Sequence, residues 1–289
     1  MTYLWLSVLF SGMLVVMFKI FQRLGIDAFT AIVFNYLSAT VFAFLYMKNK
    51  HYVLGGAVWK DNWWPFALFL GSMFITVFNM TSITTLRYGA STASVAMKLG
   101  LVFPVVLAFT VYGEAFSMLK FMGVALALVA VVLSSVKEEN AGRHRGIALL
   151  PVLVFIGSGA CDSFTQLANK YYVIPEHEEA FSLFLFFAAA FWGLVALLYL
   201  LVRGVKKLNM KTLLGGVVLG VINYFSFLTM LRALATVPGG SAVVFPMANL
   251  GTVAFATLAG VVFFREKLNR LNLIGLVLMA AAMAAMAMA

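Results

Sequence analysis

Residues 181–202 read FSLFLFFAAAFWGLVALLYLLV and contain no charged side chain. A helix needs about 20 mainly apolar residues to cross the hydrocarbon core of a bilayer. The segment is continuously apolar rather than alternating, and it is too long for a strand of a membrane barrel. We therefore predict that it forms a transmembrane helix.

The same kind of segment recurs along the whole chain, with only short loops between the runs. The apolar runs are 3–21, 28–47, 64–86, 90–112, 117–136, 146–168, 181–202, 212–234, 240–263 and 271–288. Of the 289 residues, 64% are hydrophobic and 10% charged, against about 25% charged in soluble domains. These features predict an all-α membrane protein with ten transmembrane helices, a multi-pass protein of the bacterial cytoplasmic (inner) membrane.

Charge and motifs exclude several other classes of protein. The net charge is +10, but the basic residues gather in short loops such as RGVKKLNMK at 203–211, as cytoplasmic loops do. Without an aromatic and basic face, we expect no nucleic-acid partner. The single Cys161 and the scattered His51, His144 and His177 predict neither a disulfide nor a metal site. No P-loop, nucleophile elbow or zinc-protease motif occurs, so we expect no enzyme activity and no cofactor.

Sequence matches at a nearly constant offset indicate an internal duplication. The matching pairs are KLG at 98–100 with NLG at 249–251, GEAFSMLKFMG at 113–123 with REKLNRLNLIG at 265–275, and FKIF at 18–21 with NKYY at 169–172. These matches predict two five-helix repeats, residues 1–138 and 146–289. Because five is odd, the second repeat enters the membrane inverted, as in many secondary transporters.

Two long segments carry a resemblance to a known family. They read RYGASTASVAMKLGLVFPVVLAFTVYGEAFSMLKFMGVALALVAVVL at 87–133 and VPGGSAVVFPMANLGTVAFATLAGVVFFREKLNRLNLIGLVLMAAAMAAM at 237–286. Each has a small-residue-rich helix, a turn with glutamate and a short apolar helix. The chain resembles the EamA-type ten-helix transporters of the drug/metabolite transporter superfamily. Arg265 departs from the glycine that usually precedes the glutamate. The resemblance implies a fold but not a substrate.

Lys98 and Asp162 are the ionisable residues that lie well inside apolar runs. A lysine at a helix centre costs about 2.5–3.5 kcal/mol on insertion scales, so Lys98 should face a polar cavity, unless its stem reaches an interface. Its repeat partner is Asn249. Asp162 and Gln166 fall on one polar stripe of their helix. Asp162 is a candidate for proton coupling or for balancing Lys98, or a hydrogen-bonded structural residue.

Other polar residues within the runs are weaker candidates for a cavity. They are Asn35, Tyr36, Asn79, Asn223 and Tyr224, which could equally hydrogen-bond between helices. Pro104 and Pro246 are predicted to kink their helices.

The combination of inverted repeats and buried polar residues predicts a secondary transporter. It would move a small metabolite, an amino acid or another small organic solute, by alternating access, as an exporter. A proton or another ion would be the coupling species, and the protein would be a monomer or homodimer in the lipid bilayer. The alternatives are an exporter of drugs or toxic compounds and a flippase for lipid-linked carriers.

Overall fold

A computed structural model of the protein describes residues 1–88, 90–113, 117–135, 149–265 and 270–287. Helices and short turns make up these residues, with 3-10 helices at Ala57–Lys60 and Pro175–His177. The α-helices are α1 (Thr2–Leu24), α2 (Ala28–Tyr46), α3 (Lys50–Leu54), α4 (Trp64–Tyr88), α5 (Ala90–Leu99), α6 (Val102–Thr110), α7 (Met118–Ser135), α8 (Leu149–Tyr171), α9 (Glu178–Val202), α10 (Met210–Thr236), α11 (Ser241–Phe264) and α12 (Arg270–Ala287).

Seven helices of the described chain are long and apolar enough to cross a membrane, namely α1, α2, α4, α8, α9, α10 and α11. Each corresponds to one of the apolar runs in the sequence. The prediction of an all-α, multi-pass integral membrane protein is therefore confirmed at this level. The boundary predicted between the two repeats, around 139–145, lies outside the described residues.

The prediction of ten continuous spans is wrong, and the clearest departure is the run 90–112. This run is interrupted, because α5 ends at Leu99 and α6 begins at Val102. Pro104 has no N–H to donate to the carbonyl oxygen of Gly100, four residues earlier. Phe103 donates to that oxygen instead, at 3.0 Å, which tightens the turn. The interruption is buried in protein, where irregular backbone is tolerated at membrane depth.

Two other runs, 117–136 and 271–288, form the helices α7 and α12, each of 18 residues. They cover the predicted runs closely but are not among the seven candidate spans. These two helices pack against each other. Pro246 lies inside α11 without ending it, so this proline, unlike Pro104, does not separate two helices.

The helices pack around two apolar clusters. One joins α2, α4, α9 and α10 and includes the fully buried rings of Tyr36, Phe186 and Tyr224. The other joins α6, α7, α11 and α12 around residues such as Val244 and Met279. The polar side chains of the candidate site lie mainly on α5, α8 and α11.

Glycines allow two pairs of helices to approach closely. A Cβ atom at Gly216 of α10 would overlap two atoms of α2, the backbone oxygen of Ala31 and the Cβ atom of Phe34. A Cβ atom at Gly71 of α4 would overlap the backbone oxygen of Leu185 on α9. Small residues at such contacts bring helix backbones together and strengthen packing within a membrane.

Asp27, outside the spans, links the start of α2 to the loop after α9. It caps α2 by accepting hydrogen bonds from the backbone and hydroxyl of Thr30, at 2.9 and 2.7 Å, and it pairs with Lys206. Burial alone would raise its pKa, but the bonds from Lys206 and Thr30 outweigh this and hold the pKa of Asp27 below its ordinary value of 3.8.

We expect the Asp27 charge to stabilise the fold at neutral pH and to lose that effect in acid. Its folded pKa is lowered, so the contribution is present above pH 3.8 and disappears as pH falls below it. Asp27→Asn keeps a capping side chain and should lower stability at pH 6 by at most about 1 kcal/mol. Thermal melts from pH 6 to pH 3 should show the two proteins converging, with exposed Glu176→Gln as the control. A constant difference at every pH contradicts this interpretation.

Candidate functional site

A cavity of about 150 Å³ lies between α4, α5, α8 and α11. Its polar wall contains the ammonium of Lys98, the carboxyl of Asp162 and the amide of Asn249. The remaining lining residues are Phe74, Val77, Phe78, Thr81, Met97, Ser158 and Cys161. The break between α5 and α6 sets the end of α5, and therefore Lys98, beside this cavity.

Lys98 and Asn249, which the sequence comparison matched at an offset of 151 positions, are in direct contact. Lys98 Nζ donates to Asn249 Oδ1 at 2.9 Å. Asn249 Nδ2 donates in turn to the backbone oxygen of Phe245 at 3.0 Å, which fixes the direction of the amide. Both side chains are only partly buried, so the pair presents a charged donor to the cavity.

Asp162 faces the same space from α8. Its charge and that of Lys98 are close enough to interact electrostatically, and no direct ion pair joins them in the described part of the chain. Ser158, one turn earlier on α8, donates to the backbone oxygen of Met97 at 3.0 Å. This bond holds α8 against the end of α5 and so sets the spacing of the two charged groups.

The polar stripe of α8 continues from Asp162 to a second cavity. That cavity measures about 400 Å³ and is lined by Gln166, Asn169, Lys170 and Ser241, among others. Gln166 is 3% exposed and donates to the hydroxyl of Ser241. Its other amide atom, Oε1, is buried without a hydrogen-bond partner among the described residues. Gln166 thus lines the larger cavity one helical turn beyond Asp162, which lines the smaller one.

Five other predicted site residues are not among those lining either cavity. Asn35, Tyr36 and Tyr224 are buried in contacts between helices. Tyr36 packs edge-on against Phe78, a residue that lines the smaller cavity, with ring centroids 6.0 Å apart. Asn79 and Asn223 also lie away from both cavities. A polar side chain inside an apolar helix can serve helix packing as well as a cavity, so residue type alone did not separate these roles.

The sequence did not point to the aromatic wall of the smaller cavity. Phe74, Val77, Phe78 and Thr81 share one face of α4 because their spacing follows the helical repeat. The polar residues of α4, such as Ser72, Asn79 and Thr81, are not confined to one side of the helix, so no periodic signal marks this face. The sequence gives no reason to place Cys161 in a cavity, and the structure shows that it lines this one.

Comparison with known proteins gives a sequence relative and a similar solved structure. No known family profile matches the chain. An uncharacterized protein of Haemophilus influenzae is 28% identical over 277 residues, covering 94% of this chain and 92% of that protein. A solved crystal structure of a protein matches with a TM-score of 0.72 and 14% identity, covering 98% of this chain and 94% of that one. This likeness concerns the fold alone.

Proposed function

We propose that the chain is a secondary transporter that moves a small organic metabolite across the membrane, as an exporter, by alternating access around the smaller cavity. The observation that carries this proposal is the bond between Lys98 and Asn249, in a cavity that Asp162 faces from a third helix. Ionisable residues inside a membrane are costly and usually mark substrate or ion pathways. The resemblance to EamA-type drug/metabolite transporters agrees with this function.

Equivalent contacts in the two halves support the inverted repeats of the proposal. A Cβ atom at Gly159 of α8 would overlap the ring of Phe103, and one at Gly12 of α1 would overlap the ring of Phe255. The glycines are 147 positions apart and the phenylalanines 152. The same packing thus recurs between α8 and α6 and between α1 and α11.

A second pair of contacts repeats with the same offsets. Lys170 at the end of α8 donates to the backbone oxygen of Tyr112 at 2.9 Å and lies over its ring. Arg23 near the end of α1 donates to the backbone oxygen of Phe264 at 3.2 Å and also lies over its ring. If each repeat contributes five crossings, these contacts lie at opposite faces of the membrane, as inversion requires.

The pairing of helices has the same symmetry when α5 and α6 count as one element. If the halves are exchanged, α1 corresponds to α8, α2 to α9, α4 to α10 and α5–α6 to α11. The contact of α2 with α10 then corresponds to that of α9 with α4, and the contact of α1 with α10 to that of α8 with α4. The contact of α1 with α11 corresponds to the contacts of α8 with α5 and α6. The equivalent pairs α2–α9 and α7–α12 pack together. On this assignment α5–α6, α7 and α12 are the three crossings that are not among the seven long candidate spans.

The size and polarity of the cavity favour a small metabolite over the alternative substrates. Pockets for drug-sized molecules usually measure about 300–1,000 Å³, whereas this cavity measures about 150 Å³. A lipid-linked carrier would place apolar chains beside Lys98 and Asp162. Asp162 is the carboxylate on the pathway that could carry a coupling proton.

Alternating access requires the Gln166 contact to open in one state. Gln166 and Ser241 line the larger cavity. They belong to α8 and α11, from which Asp162 and Asn249 face the smaller cavity. Rocking of α8 against α11 would part the two side chains and join the cavities. The buried Oε1 of Gln166 would then gain water as a partner.

Solute exchange in proteoliposomes tests the proposed function. Vesicles loaded with a high concentration of one unlabelled metabolite should take up the same labelled metabolite transiently, which only a carrier can produce. The panel should include amino acids, organic acids, amines and sugars, with protein-free vesicles as the control. The proposed function is wrong if no member of the panel exchanges in vesicles that contain folded protein.

A further inference from the structure

The described lining of the smaller cavity contains one basic and one acidic side chain, and these make no direct contact with each other. Among its described lining residues, Lys98 and Asp162 are the charged ones. The hydrogen-bond partner of Lys98 is the neutral amide of Asn249. The ion pairs of the described chain involve other residues, such as Asp27 with Lys206 and Glu179 with Arg232. An anionic group and a cationic group of a ligand could therefore each find an unmatched partner here.

We propose that this cavity binds a small zwitterion, a molecule with one carboxylate and one ammonium group, such as an α-amino acid. The carboxylate is held by Lys98 and the ammonium by Asp162. This inference rests on the proposed function and names the substrate class of the same site.

Electrostatic balance favours a zwitterion over a simple ion. A ligand with only a carboxylate would meet Lys98 but would lie beside the like charge of Asp162. A ligand with only an ammonium would face the converse repulsion from Lys98. Charges inside a protein are favourable only when they are paired and hydrogen-bonded, so a ligand with both groups satisfies the whole site.

The rest of the cavity wall suits the other parts of such a ligand. Phe74 and Phe78 line the same cavity, and aromatic rings attract cations over their faces. Val77 and Met97 add apolar surface for a side chain. The volume of about 150 Å³ lies below the range of pockets for drug-sized molecules, which favours a compact ligand.

Matched sets of ligands test the inference on the wild-type protein. Each set contains an amino acid, the amine that lacks its carboxylate and the acid that lacks its ammonium. Suitable sets are alanine with ethylamine and propionate, valine with isobutylamine and 3-methylbutanoate, and phenylalanine with phenethylamine and 3-phenylpropionate. Binding to the full-length protein in detergent is measured by the shift of its melting temperature with ligand concentration.

In at least one set the amino acid should bind about tenfold or more tightly than either analogue, because each analogue leaves a buried charge unpaired. The inference is overturned if, in every set, one analogue binds as well as the amino acid. In that case the exchange of the preferred acid or amine in proteoliposomes still supports the proposed transporter. If no set binds but another metabolite of the wider panel exchanges, the zwitterion inference alone fails.

Two variants should change the preference in opposite directions. Lys98→Met should remove the advantage of the amino acid over the amine, and Asp162→Asn should remove its advantage over the acid. A purely structural role would weaken all three ligands alike. Lys60→Met and Glu176→Gln, both exposed outside the cavity, are the matched controls and should keep the wild-type order. If either cavity variant does not fold, the wild-type comparison still decides the result.

Discussion

Replacing Lys98 by methionine is expected to raise the solute concentration for half-maximal transport about tenfold or more, because a hydrogen bond to a charged group contributes about 1.5–3 kcal/mol. Methionine keeps an unbranched stem of similar length while it removes the ammonium. Asn249 then loses the hydrogen bond that its Oδ1 accepts at 2.9 Å, and Asp162 loses a nearby opposite charge. Initial rates of labelled-solute exchange in proteoliposomes measure the effect.

The matched control for this variant is Lys60→Met, in the exposed 3-10 helix Ala57–Lys60. It makes the same chemical change outside the membrane and should leave exchange at the wild-type level. Folding of both variants is checked by size-exclusion chromatography and thermal melting. Wild-type exchange by a well-folded Lys98→Met protein would show that Lys98 is not a substrate contact.

Gly220→Ala is expected to destabilise the protein strongly, because α10 packs on α2 at this position without room for a side chain. An added Cβ atom would overlap Ser38 Oγ and the backbone oxygen of Asn35, and it would lie 3.0 Å from the backbone nitrogen of Ala39. Overpacking costs about 1–3 kcal/mol and occasionally more. Because rigid backbone is involved, we expect a loss at the upper end, exceeding the gain of about 1 kcal/mol from replacing glycine by alanine in a helix.

Gly215→Ala is the control for this prediction, since it lies on the same helix five residues earlier. Its Cβ atom would approach only the far ends of side chains, Phe21 Cε1 at 3.0 Å and Ile26 Cδ1 at 3.3 Å. These groups can move by a few tenths of an ångström, so its melting temperature should change little. Equal melting temperatures for the two variants would mean that α2 and α10 do not pack this closely.

Hydropathy predicted the long helices well but not the interrupted one. A run such as 181–202 is apolar throughout, and the helix α9 covers it completely. The run 90–112 is just as apolar, yet it is divided between α5 and α6. A sum of hydropathy over a window does not register a missing backbone donor, which Pro104 causes locally. The sequence predicts a kinked helix at Pro104, whereas the structure has two helices, α5 and α6.

The offset of 151 positions matched Lys98 with Asn249 in the sequence, and these two side chains are hydrogen-bonded in the structure. The match of residues 18–21 with 169–172 aligns Lys19 with Lys170. In the structure Arg23 and Lys170 make the similar contacts, because each donates to a backbone oxygen near the end of another helix. If the two halves are repeats, as we propose, their alignment is hard to fix from sequence, since apolar helices tolerate many substitutions.

Residue type alone does not distinguish residues that line the cavity from residues that pack helices together. Tyr36 and Tyr224 are polar at one atom only, and their rings fill the apolar cluster between α2, α9 and α10. Phe74 and Phe78 line the cavity without any polar atom. Which face of a membrane helix meets a cavity depends on packing with its neighbours, and the sequence of one helix does not contain that information.

Cys161 provides the most direct test of a cavity that opens to each side of the membrane in turn. It is the single cysteine of the chain, it lines the smaller cavity and it is 5% exposed. A charged, membrane-impermeant methanethiosulfonate is added to either side of proteoliposomes, with Cys161→Ser as the unreactive control. We predict labelling from both sides, at rates that a transported solute lowers. Labelling from neither side, or labelling that every transported solute leaves unchanged, would contradict alternating access at this cavity.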